Sequence, residues 1–143
     1  NFSNYSAWHQ RSYLLPKMHT TQEELIAALE DEFDLVKHAF YTAPQDQSAW
    51  VYHQWLLGTT KEKNASRYVE ILNRELEAIQ ELATIEPDSK WVNLTLMNIL
   101  SALEEETKDT CNAKDIDDLL KKLKEIDPQH IVYYSHLEDK RRS

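Results

Sequence analysis

Among its 143 residues the sequence has a single glycine, Gly58. Sheet proteins rich in hairpins rely on glycine for the positive-φ positions of tight turns, so this count excludes a turn-dense β fold. It also excludes a glycine-rich phosphate cradle. One cysteine, Cys111, cannot build a disulfide framework and fits a reducing, cytoplasmic compartment. No apolar run approaches the roughly 18 residues of a membrane span. The opening residues carry no basic stretch followed by an apolar one, so no secretory leader is expected. Nor do they begin with Met, and the expectation is a stretch of a longer chain. Basic residues are scarce, 16 Lys and Arg against 25 Asp and Glu, for a net charge of −9. That balance argues against wholesale binding to nucleic acid or an anionic membrane. The basic triplet Lys140-Arg141-Arg142 reads as a solvated tail, and Glu104-Glu105-Glu106 as a solvated helix end.

What the chain does have is a repeat. Trp8, Trp50 and Trp91 stand 42 and 41 residues apart, each two positions after a serine (Ser6, Ser48, Ser89). Another 42 residues lead to Tyr133. Pro44, Pro87 and Pro128 keep the same beat. A unit of about 42 residues implies one supersecondary element per copy, stacked on the next. Each copy divides into a Trp-bearing helix (6–15, 48–57, 89–103) and a longer one running up to the proline (22–41, 62–85, 113–126). The serines read as N-caps, Pro16 as a stop, Gly58 as a C-cap, and Thr59–Asn64 and Glu105–Asn112 as polar connectors. Leu29, Phe33, Val36 and Phe40 precede Pro44 at the distances at which Leu72, Leu76, Ile79 and Ala83 precede Pro87. The third stripe slips phase, through Ile116, Leu119, Leu120, Leu123 and Ile126. These are buried faces of equivalent helices. The expected fold is all-α, an α-α solenoid of antiparallel helix pairs forming one domain over 1–143.

A Trp at one phase of every copy reads as a packing wedge. Three residues on, one helical turn away, stand Arg11, His53 and Leu94. Either the later units close the core there, or the early units line a working surface. Six histidines invite a metal site, but none pairs at i, i+4 with a second ligand, and no metal is expected in this chain. No Ser-His-Asp pattern or general acid–base pair is marked either.

The strings NYSAWHQR, QSAWVYHQWLL and SKWVNLTLMNIL resemble the repeat of protein prenyltransferase α subunits. The hallmark is Asn-x-x-x-Trp with Arg three residues further on. Asn4, Trp8 and Arg11 match it; the second copy has Asp46, Trp50 and His53, and the third Pro87, Trp91 and Leu94. NFSNYSAWHQRSYLLP and DQSAWVYHQWLLG are most similar to the type II branch, which acts on Rab proteins. The resemblance implies an enzyme subunit that wraps a catalytic β subunit and lacks a complete active site of its own. It implies no cofactor bound by this chain, with zinc and the isoprenoid tunnel in the β subunit. It further implies geranylgeranyl diphosphate as lipid donor, Rab presented by an escort protein, and a repeat-only ending. Asn4, Tyr5, Arg11 and His53 would face the β subunit or the isoprenoid diphosphate, Arg11 meeting either a diphosphate or a β-subunit carboxylate. The alternatives are the α subunit shared by farnesyltransferase and type I geranylgeranyltransferase, or a non-enzymatic helical-repeat adaptor that binds peptides. An adaptor of the tetratricopeptide kind would have a period of about 34 residues.

Overall fold

The computed structural model describes residues 4–143, with Asn4 by its backbone only. Among these residues there are seven α-helices, one 3-10 turn and no strand. They are α1 (Asn4–Met18), α2 (Gln22–Thr42), α3 (Gln47–Lys63), α4 (Ala65–Ile85), α5 (Lys90–Thr107), α6 (Ala113–Ile126), the turn Pro128–His130 and α7 (Ile131–Arg142). The all-α helical repeat is as expected. The chain divides into two compact units, Asn1–Ile71 and Leu72–Ser143, with the boundary inside α4.

In the first unit, α3 packs against both α1 and α2. The α2 stripe of Leu29, Phe33, Val36 and Phe40 is buried, as its spacing required. Helix α2 packs on α3, whose buried apolar side includes Ala49, Trp50, Leu56 and Leu57. Phe40 stacks on Trp50 with ring centroids 3.7 Å apart. Thr21 caps α2 by accepting from the Glu24 N–H at 3.2 Å, and Glu23 and Glu24 complement the dipole of the first turn. Two punctuation marks fail. Helix α1 continues past Pro16 to Met18, and α3 runs through Gly58 to Lys63. The reason for the second is burial: Thr59 and Thr60 lie on the inner face, and the Thr60 hydroxyl donates to the Leu56 carbonyl. The expected connector shrinks to Asn64, whose side-chain oxygen accepts from the Arg67 N–H and so caps α4.

In the second unit, Met97, Leu100, Ile116, Leu120, Leu123 and Tyr134 form one buried cluster. The third helix stripe is thus confirmed in its slipped phase. The residues 131–134 are helical, in line with the repeat. Helix α5 ends on Lys108 in the left-handed region at φ 59°, a position where side chains other than glycine cost about 1–2 kcal/mol. The triplet 140–142 is not a loose tail. Arg141, in the last turn of α7, donates to Glu104 of α5 at 2.9 Å and to Asp117 of α6 at 3.4 Å. Glu104 is correspondingly half-buried rather than a solvated end.

The prolines, rather than the tryptophans, set the repeat register. Six residues after Pro44, the Trp50 indole N–H donates to the Pro44 carbonyl at 2.9 Å. Six residues after Pro87, the Asn93 amide donates to the Pro87 carbonyl at 3.0 Å. Six after Pro128, the Tyr134 hydroxyl donates to Asp127 at 2.6 Å. All three side chains are buried. Trp91 is therefore not the counterpart of Trp50; it is half-buried, with the Lys90 ammonium 4.9 Å above its ring. Tyr133, expected at the Trp phase, is 51% exposed, and its neighbour Tyr134 takes the buried place. The same register explains the caps. Ser89 caps α5 as expected, but its equivalent is Asp46, which caps α3 and also accepts from the Ser48 hydroxyl. Ser6 and Ser48 lie inside their helices.

Candidate functional site

The first unit gathers its polar chemistry where α1, α2 and α3 meet. Arg11 of α1 grips Glu32 of α2 with two parallel bonds, Nε to Oε1 at 2.7 Å and Nη2 to Oε2 at 2.6 Å. The Tyr52 hydroxyl of α3 donates to the same Oε1 at 2.6 Å. Each helix contributes one member, and the fork geometry is the one for which arginine and carboxylate are matched. The Glu32 side chain is 7% exposed, whereas that of Arg11 is 46% exposed. Burial alone would raise the Glu32 carboxyl. The Arg11 fork and the Tyr52 hydroxyl outweigh it and hold the group below its ordinary value. Burial, and then the bond to an anion, drive the Tyr52 phenol up. Arg11 is raised by its bond to Glu32.

An aromatic ladder stands beside this junction. Trp8 stacks on Tyr52 at 4.8 Å, and Tyr52 stacks on Trp55 at 5.7 Å. Tyr5, exposed, lies flat against His9 with centroids 5.9 Å apart. Tyr5, Trp8, His9, Val51 and Trp55 wall a groove of about 190 Å³. On its other side Arg11 lines a larger recess, of about 550 Å³, between α1 and α2, with Leu14, Met18, His19 and Asp31.

Of the residues expected to face a partner, Tyr5 and Arg11 are surface groups of the first unit. The side chain of Asn4 lies outside what the structure describes. His53 requires a correction. It is 0% exposed, with its ring set edge-on to Phe33 and Phe40, at 5.6 and 5.4 Å. Its neighbours in α2 are aromatic rings, so the helix turn that makes Arg11 a surface cation makes His53 a core residue. Leu94, its expected third-unit counterpart, packs against the second unit's core cluster. Trp8 and Trp50 both stack in the first unit, but only Trp50 is fully buried. Glu32 and Tyr52 were not singled out from the sequence. The signal for Glu32 was available: a carboxylate three residues after Leu29 and four before Val36 stands on an apolar stripe, and a buried charge needs a partner.

The second unit has a junction of its own. Asp127, 4% exposed, accepts from Tyr134 at 2.6 Å and contacts His130 Nδ1 at 2.9 Å, with Lys90 Nζ at 3.6 Å. Burial opposes its charge, but the Tyr134 and His130 bonds and the Lys90 charge lower its pKa overall. Among the described residues no three His, Cys, Asp or Glu side chains come together as metal ligands, and no helix is long and apolar enough to cross a membrane.

The protein prenyltransferase alpha subunit repeat matches residues 1–18 and 29–60, the stretch that carries α1, most of α2 and most of α3. The geranylgeranyl transferase type-2 subunit alpha of Dictyostelium discoideum is 42% identical over 92% of this chain and 40% of its own length. That of Schizosaccharomyces pombe is 31% identical over 98% of this chain and 46% of its own. The Homo sapiens subunit of the same name is 44% identical over 52% of this chain and 14% of its own length. The chain therefore spans somewhat less than half the length of the first two relatives. Residues 1–18 and 29–60 thus carry the protein prenyltransferase alpha subunit repeat, and nearly the whole chain is similar to type-2 alpha subunits.

Proposed function

We propose that this chain is part of the α subunit of a heterodimeric type II geranylgeranyltransferase. The observation that carries the reading is similarity to the Dictyostelium type-2 subunit along 92% of this chain. In this reading the subunit is a scaffold. The β subunit holds the zinc and the isoprenoid tunnel, and the active site is incomplete without it. The enzyme moves geranylgeranyl from its diphosphate to C-terminal cysteines of Rab proteins. An escort protein that presents Rab docks on the α subunit, and the complex works in the cytoplasm. The exposed side chains Tyr5 and Arg11 of α1 are the part of this chain assigned to the β subunit or the diphosphate.

The test is co-expression of the full-length subunit with a type II β subunit, followed by isoprenoid transfer onto a Rab protein in the presence of escort protein. A stable heterodimer that prefers geranylgeranyl diphosphate over farnesyl diphosphate is expected. A heterodimer formed only with a farnesyltransferase β subunit would move the chain to the other branch of the family. A chain that bound neither β subunit would sink the reading.

A further inference from the structure

Arg11 uses only part of its guanidinium on Glu32. Nε and Nη2 are taken by the two carboxylate oxygens. Nη1 has no acceptor among the described residues, and the side chain is nearly half exposed. An arginine bound in this way is fixed in two rotational senses at once, because both parallel bonds must be kept. The carboxylate is fixed in turn by a third group. The Tyr52 hydroxyl donates to Oε1, and the Tyr52 ring stacks with both Trp8 and Trp55. The arrangement is two layers deep: an aromatic stack orients a tyrosine, the tyrosine and burial orient a carboxylate, and the carboxylate orients a cation. A lone surface arginine loses several rotatable bonds' worth of entropy when it binds. Arg11 has surrendered that freedom on folding.

We infer that Glu32 and Tyr52 are positioning residues, which hold Arg11 so that its outer N–H edge receives an oxyanion from outside this chain. The inference rests on the proposed function and names the group through which it acts. The acceptor is a carboxylate or a phosphate oxygen, the two chemistries a guanidinium edge matches. In the heterodimer these correspond to a β-subunit side chain or the diphosphate of the lipid donor. Neither Glu32 nor Tyr52 touches that acceptor. Their effect passes through the orientation of Arg11.

The test uses the full-length heterodimer with Arg11→Lys, Glu32→Gln, Tyr52→Phe, the Arg11→Lys/Glu32→Gln double variant and the exchanged pair Arg11→Glu/Glu32→Arg. Subunit Kd, KM for geranylgeranyl diphosphate and Tm are measured for each, well below the melting range for the first two. Arg11→Lys and Glu32→Gln are each expected to weaken one of the two binding readouts about 10-fold, as loss of an oriented charged hydrogen bond does. Tyr52→Phe should weaken the same readout less. The double variant should be no weaker than Arg11→Lys alone, since both act through one guanidinium. A change in subunit Kd identifies a β-subunit carboxylate; a change in KM with Kd constant identifies the diphosphate. The exchanged pair separates positioning from simple support: it should recover Tm while binding stays weak, because the cation now sits on the buried side. If Glu32→Gln lowers Tm but leaves Kd and KM unchanged, or if the exchanged pair restores binding together with Tm, the inference is overturned while the proposed function stands. If the unaltered subunit forms no heterodimer, both fall together.

Discussion

In each unit of this chain a buried carboxylate accepts from a tyrosine hydroxyl, Glu32 from Tyr52 and Asp127 from Tyr134, and the two junctions are built differently. Glu32, on α2, draws its partners from two other helices, 21 and 20 residues away in sequence. Asp127 draws two of its three from within 7 residues, Tyr134 and His130, and only Lys90 from further off. The first junction is tertiary: it exists only when α1, α2 and α3 are docked. The second is mainly a local lock on the turn between α6 and α7. Both solve the same problem, the cost of a carboxylate away from water. Only the first does so with a cation whose other edge faces solvent. A similar buried group can thus knit helices together in one place and pin a turn in another.

The comparison can be broken most directly at the acids. Glu32→Ala should cost about 2–3 kcal/mol, because it strands the Tyr52 hydroxyl and the Arg11 fork at once. Its effect should spread over α1, α2 and α3, seen as faster amide exchange in all three. Asp127→Ala should loosen the 127–134 segment and spare the first unit. Matching exchange patterns for the two would remove the distinction between tertiary and local junctions.

Acid should act on both. A carboxylate whose native pKa lies below its unfolded value of about 4 contributes fully above that value, and the contribution is lost as pH falls through the lowered native one. Both Glu32 and Asp127 are of this kind. Thermal melts should therefore be flat from about pH 7 to 5 as far as these groups are concerned, then decline below about pH 4. Glu32→Gln has no such proton to take up, so the decline should be shallower in that variant. An unchanged acid limb would remove Glu32 from the account.

Smaller effects sharpen the contrast. Tyr52→Phe and Tyr134→Phe each delete one hydroxyl bonded to a carboxylate, worth about 1–2 kcal/mol. Tyr52→Phe should be the milder, because Arg11 still holds Glu32 in a fork, whereas Asp127 keeps only His130 as a hydrogen-bond partner and a more distant Lys90. The reverse order in urea melts would show that the local junction is the better supported one. Smallest is Gly58→Ala, which should stabilise by about 0.5–1 kcal/mol. Gly58 is an exposed helical position, and an added Cβ there meets nothing within 4 Å. A loss of stability in that variant would mean that the α3 turn around Gly58 is not regular helix.

Much of the fold was legible in the sequence because repeated helices reuse the same apolar spacing. The α2 stripe, the slipped α6 stripe and the helix at 131–134 all followed from periodicity. Register was not, because the spacing of the largest side chains differs from the spacing of the side chains that tie the turns. Trp91 looks like the heir of Trp50, but a turn is tied by whichever buried side chain can donate back to it, and in the second unit that is Asn93. Gly58 misled for a related reason: glycine ends helices only where a positive φ is needed, and α3 has none there. In the candidate site, Arg11 was visible by its spacing from Trp8, and His53 was placed beside it by analogy. The aromatic faces of Phe33 and Phe40, contributed by a different helix, decide that His53 is core. Such a partner is settled by packing between helices, which no spacing within one helix contains.

The proline-plus-six tie has a consequence for descent. The side chains that perform it here are an indole, an amide and a phenol, alike only in filling space and carrying an N–H or O–H. Substitution among them can proceed without dismantling the turn, so the architecture outlasts its own signature. The family match, which ends at residue 60, stops before the first tie that is not made by tryptophan.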